Sequence, residues 1–137
     1  MRLIERDVTQ AELAHVHEGF REYRIEQGNP PSEQRRHTFV AMDGERFVGC
    51  ASGVTDNKWF YLSDLWVDKA YRCQGLGRAL LEKLERRISQ DGIHNIYTWT
   101  AEFEAPLFYQ KQGYAVFVKL ENYFATGHSR IGFRKTL

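Results

Sequence analysis

A chain of 137 residues, 42% hydrophobic and 27% charged, fits a single domain of ordinary size that can bury well over half of its unfolded surface. Its net charge of +1 offers no bulk electrostatic attraction for nucleic acid or an anionic membrane, and no apolar run approaches the roughly 20 residues that span a bilayer. Cys50 and Cys73 form no CxxC pair, so neither a disulfide framework nor a zinc site is expected. The charged N-terminus lacks the apolar core of a signal peptide, and the expectation is a cytoplasmic protein.

In chain order, RLIERDV reads as a short opening strand. Thr9 followed by Glu12 has the spacing of a capping box. Leu13, Val16, His17 and Phe20 then recur at helical spacing, predicting a helix to about Arg24 with Glu18, Glu22 and Glu26 on its solvent face. Pro30 and Pro31 end it, and an extra helical turn is expected near Ser32–Arg36. HTFVAMD and RFVGCASGV flank Asp43-Gly44, a hairpin dipeptide. With KWFYLSDLWVD they predict an antiparallel meander ending on Asp68.

The next helix is the best defined. Leu80, Leu81, Leu84 and Ile88 make one apolar stripe, while Glu82, Lys83, Glu85, Arg86 and Arg87 are expected to face out. Asp91-Gly92 stops it. NIYTWT is a strand, APLFYQKQ a short helix closed by Gly113, and YAVFVKL and SRIGFRKTL are strands. The predicted order is β-α-βββ-α-β-α-ββ, a mixed α/β (α+β) domain over residues 1–137.

Gly75 and Gly77 interrupt the start of that second helix, where glycine costs roughly 1 kcal/mol relative to alanine. A helix N-terminus preceded by a strand and a turn can cradle a phosphate, because its first N–H groups lack internal partners and carry partial positive charge. A side chain at either glycine would keep an anion off the backbone, and Arg72 and Arg78 flank the loop. There is no GK[ST] after the glycines and no third glycine at position 80, which disfavours a P-loop and a dinucleotide fingerprint. From the residues alone, a tight turn packed on a neighbour remains the alternative.

Arg72-x-x-Gly75-x-Gly77, preceded by LSDLWVD and followed by ALL, resembles the R/Q-x-x-G-x-G/A motif of the GNAT superfamily of acyl-CoA-dependent N-acetyltransferases. Ala105-Pro-Leu-Phe-Tyr109-Gln-Lys-Gln-Gly113-Tyr114 is similar to the family's A-x-x-L-Y-E-K-L-G-F helix. The resemblance covers nearly the whole chain and is strong from Leu62 to Tyr114. It implies the GNAT fold, a mixed central sheet with an antiparallel N-terminal meander and a splayed parallel pair at the acyl-CoA site. It further implies an acetyl-CoA co-substrate, no metal, and direct transfer to a small-molecule or peptide amine. The alternative is an acetyl-CoA-binding module without turnover.

Carried over residue by residue, the backbone of Leu65, Trp66 and Val67 would pair with pantetheine, with the N–H of Leu65 on the thioester oxygen. The N–H groups across Cys73, Gln74, Gly75, Leu76, Gly77 and Arg78 would hold the pyrophosphate beside Arg72, with Phe108 and Tyr109 lining the site. Tyr109 matches the family's general acid. The base is left open among Asp64, Glu102 and Glu104, with His128 a further alternative, and family members often have Asn where Glu102 stands. Acceptor specificity would come from His15–Glu33 and Glu121–Ser129, where Glu121, Tyr123, Phe124 and His128 stand. The aromatic C-terminal strands leave room for a homodimer.

Overall fold

A computed structural model describes residues 1–137, which divide into two compact units, Met1–Glu33 and Gln34–Leu137. The first unit holds one helix, α1 (Gln10–Glu26). Its start follows the expected capping box: Thr9 Oγ1 accepts from Glu12 N at 3.1 Å, and Glu12 Oε2 accepts from Thr9 N at 2.8 Å. Arg6 closes on the same carboxylate at 2.7 Å, and these contacts hold its pKa down to about 2. Residues 1–8 form no strand, contrary to the pattern of RLIERDV. A strand exists only where another backbone completes its ladder, and none pairs with this segment. No residue of α1 is buried, and Leu13, Val16 and Phe20, expected on a core face, are exposed.

The second unit is a six-stranded sheet of order β1-β2-β3-β4-β6-β5. Its strands are β1 (Arg35–Asp43), β2 (Arg46–Asp56), β3 (Trp59–Val67), β4 (Asn95–Ala101), β5 (Ala115–Leu120) and β6 (Arg130–Thr136). β1, β2 and β3 form the antiparallel meander, turning at Gly44 (φ +58°) where Asp43 pairs with Arg46. Arg35 and Arg36, read as part of a helical turn, instead open β1 and pair with Thr55 and Val54. β3 and β4 are the one parallel pair. The helix α2 (Leu76–Gln90) connects them, and α3 (Pro106–Lys111) follows β4. No helix is long and apolar enough to cross a membrane.

The core lies between α2 and one face of the sheet. Leu81, Leu84 and Ile88 are fully buried, with Leu80 nearly so, against Ala51, Phe60, Leu62, Ile96 and Phe133. Each large side chain there contributes about 1.5–3 kcal/mol by leaving water. Glu85 is a correction to the outward-facing set: only 7% of it is exposed. It stands one turn from Leu81, inside the stripe. Lys135 of β6 neutralises it at 2.8 Å, and the Tyr114 hydroxyl approaches at 3.4 Å.

The parallel ladder is short. It joins Trp59, Phe60 and Tyr61 to Asn95, Ile96 and Tyr97, and then β3 and β4 part. Beyond the last rung Thr98 Oγ1 donates to the Leu62 carbonyl at 2.9 Å. β3 also carries a bulge, since Leu62 faces Gly53 and Asp64 faces Ser52, leaving Ser63 without an opposite residue. One extra residue reverses the alternation of faces. Leu65 and Val67 therefore pack on the same core as Phe60 and Leu62, while Asp64 and Trp66 are exposed.

Candidate active site

Where β3 ends, a short 3-10 turn (Lys69–Tyr71) redirects the chain, capped by Asp68, whose carboxylate accepts from Ala70 N at 3.0 Å. Arg46 holds the same carboxylate at 3.0 Å, and the two contacts keep Asp68 below the usual carboxylate range. Tyr71 donates to Asp43 Oδ2 at 2.5 Å, which pushes the phenol up. The turn is thereby tied to the β1–β2 hairpin. Arg72 folds back, its Nε donating to the Val67 carbonyl at 2.9 Å.

The loop then passes through two left-handed residues, Cys73 (φ +61°) and Gly75 (φ +82°), and Gly75 is the N-cap of α2. Nothing lies within 4 Å of where a Cβ on Gly75 would stand, so glycine is required there by backbone conformation rather than by space. A Cβ on Gly77 would meet Phe108 at 3.6 Å and Val67 Cγ2 at 3.7 Å, ordinary contacts that leave room for a methyl group. The first intrahelical bond is Ala79 N to Gly75 O at 3.0 Å. The N–H groups from Cys73 to Arg78 donate to no acceptor in the chain.

All of these residues except Gln74 border a cleft of about 600 Å³. Its wall is formed by Leu65 and Val67 of β3, by Tyr71, Arg72, Cys73, Gly75, Leu76, Gly77 and Arg78, and by Ala105, Phe108, Tyr109, Lys111 and Gln112 around α3. Pro106 begins α3 without needing an N–H, and Gly113 (φ +88°) ends it. Tyr109 is the buried residue of that helix, 6% exposed, packed on Tyr114 and Phe133. Burial pushes its phenol up to about 12, and the nearby Thr98 side chain draws it partly back.

Ten of the residues named from sequence meet in this one cleft: Leu65, Val67, Arg72, Cys73, Gly75, Leu76, Gly77, Arg78, Phe108 and Tyr109. Four do not line it. The Trp66 ring stacks on Phe47 at 5.8 Å, and Gln74 Nε2 donates to the Ala70 carbonyl at 3.4 Å. Asp64 is exposed and takes a hydrogen bond from Ser63 Oγ at 2.8 Å. Glu102 is engaged by the backbone: its Oε2 accepts from Ser129 N at 2.7 Å, and this bond lowers its pKa. Arg78 pairs with Glu82 at 2.7 Å. Lys111 and Gln112 were not foreseen, although they follow Phe108 by three and four positions and so share its helix face. Tyr71 carries no comparable signal in a single sequence.

A family model described as an acetyltransferase (GNAT) domain matches residues 34–116. A blasticidin-S acetyltransferase of Streptomyces morookaense is 34% identical over 87 residues, which are 63% of this chain and 64% of that protein. The match thus spans less than two thirds of that relative. Among solved structures, an acetyltransferase from Bacillus cereus ATCC 14579 superposes with a TM-score of 0.87 at 25% identity, covering 98% of both chains. A GNAT family acetyltransferase from Elizabethkingia anophelis with acetyl-CoA bound shares the fold, with a TM-score of 0.65 at 16% identity over 74% of this chain and 76% of that one.

Proposed function

Starting from a chain that belongs to the GNAT acetyltransferase family, we propose that it moves the acetyl group of acetyl-CoA to a primary amine of a small molecule or protein by direct transfer. The observation that carries this reading is the run of unpartnered N–H groups from Cys73 to Arg78, in residues that, apart from Gln74, line the same cleft as the buried Tyr109. A pyrophosphate would satisfy those donors at the positive end of α2. The acyl-CoA held by the E. anophelis relative supports the choice of ligand.

Acetyl-CoA, when bound, supplies an acyl carbon activated as a thioester. Cys73 to Arg78 hold its diphosphate, and the backbone of Leu65, Trp66 and Val67 lies along the pantetheine arm where β3 has parted from β4. The N–H of Leu65 faces the acyl oxygen and stabilises the charge that develops there. The amine nitrogen forms the new C–N bond as the C–S bond breaks. Its surplus proton passes to a carboxylate, and Tyr109 donates toward the departing sulfur. Tyr109 suits that role because burial keeps its proton in place at neutral pH. Asp64 is the base in this reading, since the Glu102 carboxylate is already engaged by the Ser129 N–H, whereas Asp64 is exposed and takes only the Ser63 hydroxyl.

Thermal unfolding with acetyl-CoA, beside NADH and ATP controls, tests the assignment. Ligand at about 100 times its dissociation constant adds roughly 2.7 kcal/mol, several degrees for a domain of this size. A shift with acetyl-CoA alone is the expected result. None at millimolar acetyl-CoA overturns it.

A further inference from the structure

On the exposed side of β3, the bulge at Ser63 gathers a polar network. Arg36 of β1 reaches across β2, its Nη1 lying 3.0 Å from Ser52 Oγ and 3.4 Å from Ser63 Oγ. Ser63 Oγ in turn lies 2.8 Å from Asp64 Oδ2 and 3.2 Å from the Ser52 carbonyl oxygen. Thr38 Oγ1 meets Ser52 Oγ at 2.6 Å. Ser52 itself is only 8% exposed, so the floor of the network is fixed, while Arg36 and Asp64 are open to solvent.

A guanidinium and a carboxylate therefore stand one hydroxyl apart, and neither has an ion-pair partner. Arg46, Arg78 and Arg87 each hold a carboxylate at 3.0 Å or less, and Arg130 and Arg134 lie over aromatic rings. Arg36 is held by neutral oxygens alone and keeps most of its donors free. Asp64 also directly precedes Leu65, which lines the cleft. Ser63 and Asp64 stand on β3 beyond its last rung with β4.

We infer that Arg36, Ser63 and Asp64 form the acceptor subsite, and that the acceptor is a small amine bearing its own carboxylate a few bonds from the nitrogen, as in an amino acid. This rests on the acetyltransferase reading above. The planar fork of Arg36 matches a carboxylate in two-point fashion. Asp64 receives the ammonium group and then its proton, so the neutral nitrogen is generated next to the acyl carbon. Ser63, between them, keeps the two charges from closing on each other. A polyamine would bring a second cation against Arg36, and that repulsion selects against it.

The test is acetyl-CoA-dependent thiol release with a panel of L-amino acids and their carboxamides, run on the wild-type chain, Arg36→Gln and Arg36→Lys. At least one amino acid is expected to exceed its carboxamide tenfold or more in kcat/KM. Arg36→Gln should raise KM for the acid by more than tenfold, change the carboxamide little, and leave the acetyl-CoA thermal shift intact. Arg36→Lys should recover part of the loss. Carboxamides used as well as acids, equal losses for both, or no amino acid turned over while acetyl-CoA still binds would each overturn the inference alone. Loss of the acetyl-CoA shift in the wild-type chain would overturn the acetyltransferase reading and the inference together.

Discussion

Replacing Gly75 with alanine separates backbone conformation from space at the head of α2. At φ +82° an L side chain is strained by about 1–2 kcal/mol, while the open surroundings add no clash to that cost. For a domain of this size the loss corresponds to a melting temperature lower by about 3–10 °C. Any relaxation of residue 75 also re-aims the N–H groups from Cys73 to Arg78, and each charge-assisted bond lost there is worth about 1.5–3 kcal/mol. Acetyl-CoA binding should therefore weaken by more than about tenfold, or 1.4 kcal/mol. Gly77→Ala is the control: its methyl group meets Phe108 and Val67 at van der Waals distance inside a helix. It should raise stability by up to about 1 kcal/mol and keep acetyl-CoA affinity. Calorimetric unfolding and acetyl-CoA titration on the two variants read both quantities. A Gly75→Ala protein as stable as wild type, binding within twofold, would refute the conformational argument. A Gly77→Ala protein that folds but no longer binds would make obstruction of the anion the reason for the second glycine.

Tyr109→Phe should lower kcat by about 10²-fold or more through loss of the proton donor, with acetyl-CoA binding retained in a titration. Because the folded phenol titrates near 12 and an unfolded one near 10, Tyr109 adds stability that is complete below pH 10 and lost as pH rises toward 12. Denaturant unfolding between pH 9 and 12 should accordingly decline less steeply in Tyr109→Phe, and an unchanged slope counts against the buried hydroxyl. Asp64→Asn should lower kcat by about 10²-fold or more, whereas Glu102→Gln should leave it nearly unchanged. Glu102→Ala, which removes the acceptor altogether, should instead speed amide exchange at Ser129, whose N–H it releases. The reverse pattern would make Glu102 the base.

Much of this architecture is written in local patterns. The Leu80–Ile88 stripe, the Asp43-Gly44 hairpin and the Thr9–Glu12 box depend on the helical period, a turn conformation and a three-residue spacing, all properties of neighbouring residues. The Arg72–Arg78 loop was legible for the same reason, since a helix start is built from consecutive backbone groups. What stayed hidden depends on pairs of segments far apart in the chain. RLIERDV has strand-like residues but no backbone to complete a ladder, and Glu85 is buried because Lys135, fifty residues later, neutralises it. Glu102 and Asp64 look alike in sequence. Only the folded chain distinguishes them, by giving one to Ser129 of the β6 approach and leaving the other, beside Ser63, open to solvent. The proton affinity of Tyr109 is likewise no property of its own position, because it is set by the rings of Tyr114 and Phe133 that exclude water around it. Spacing determines where donors and turns can form, whereas burial, pairing and charge compensation are energies of contact that exist only once distant strands have met.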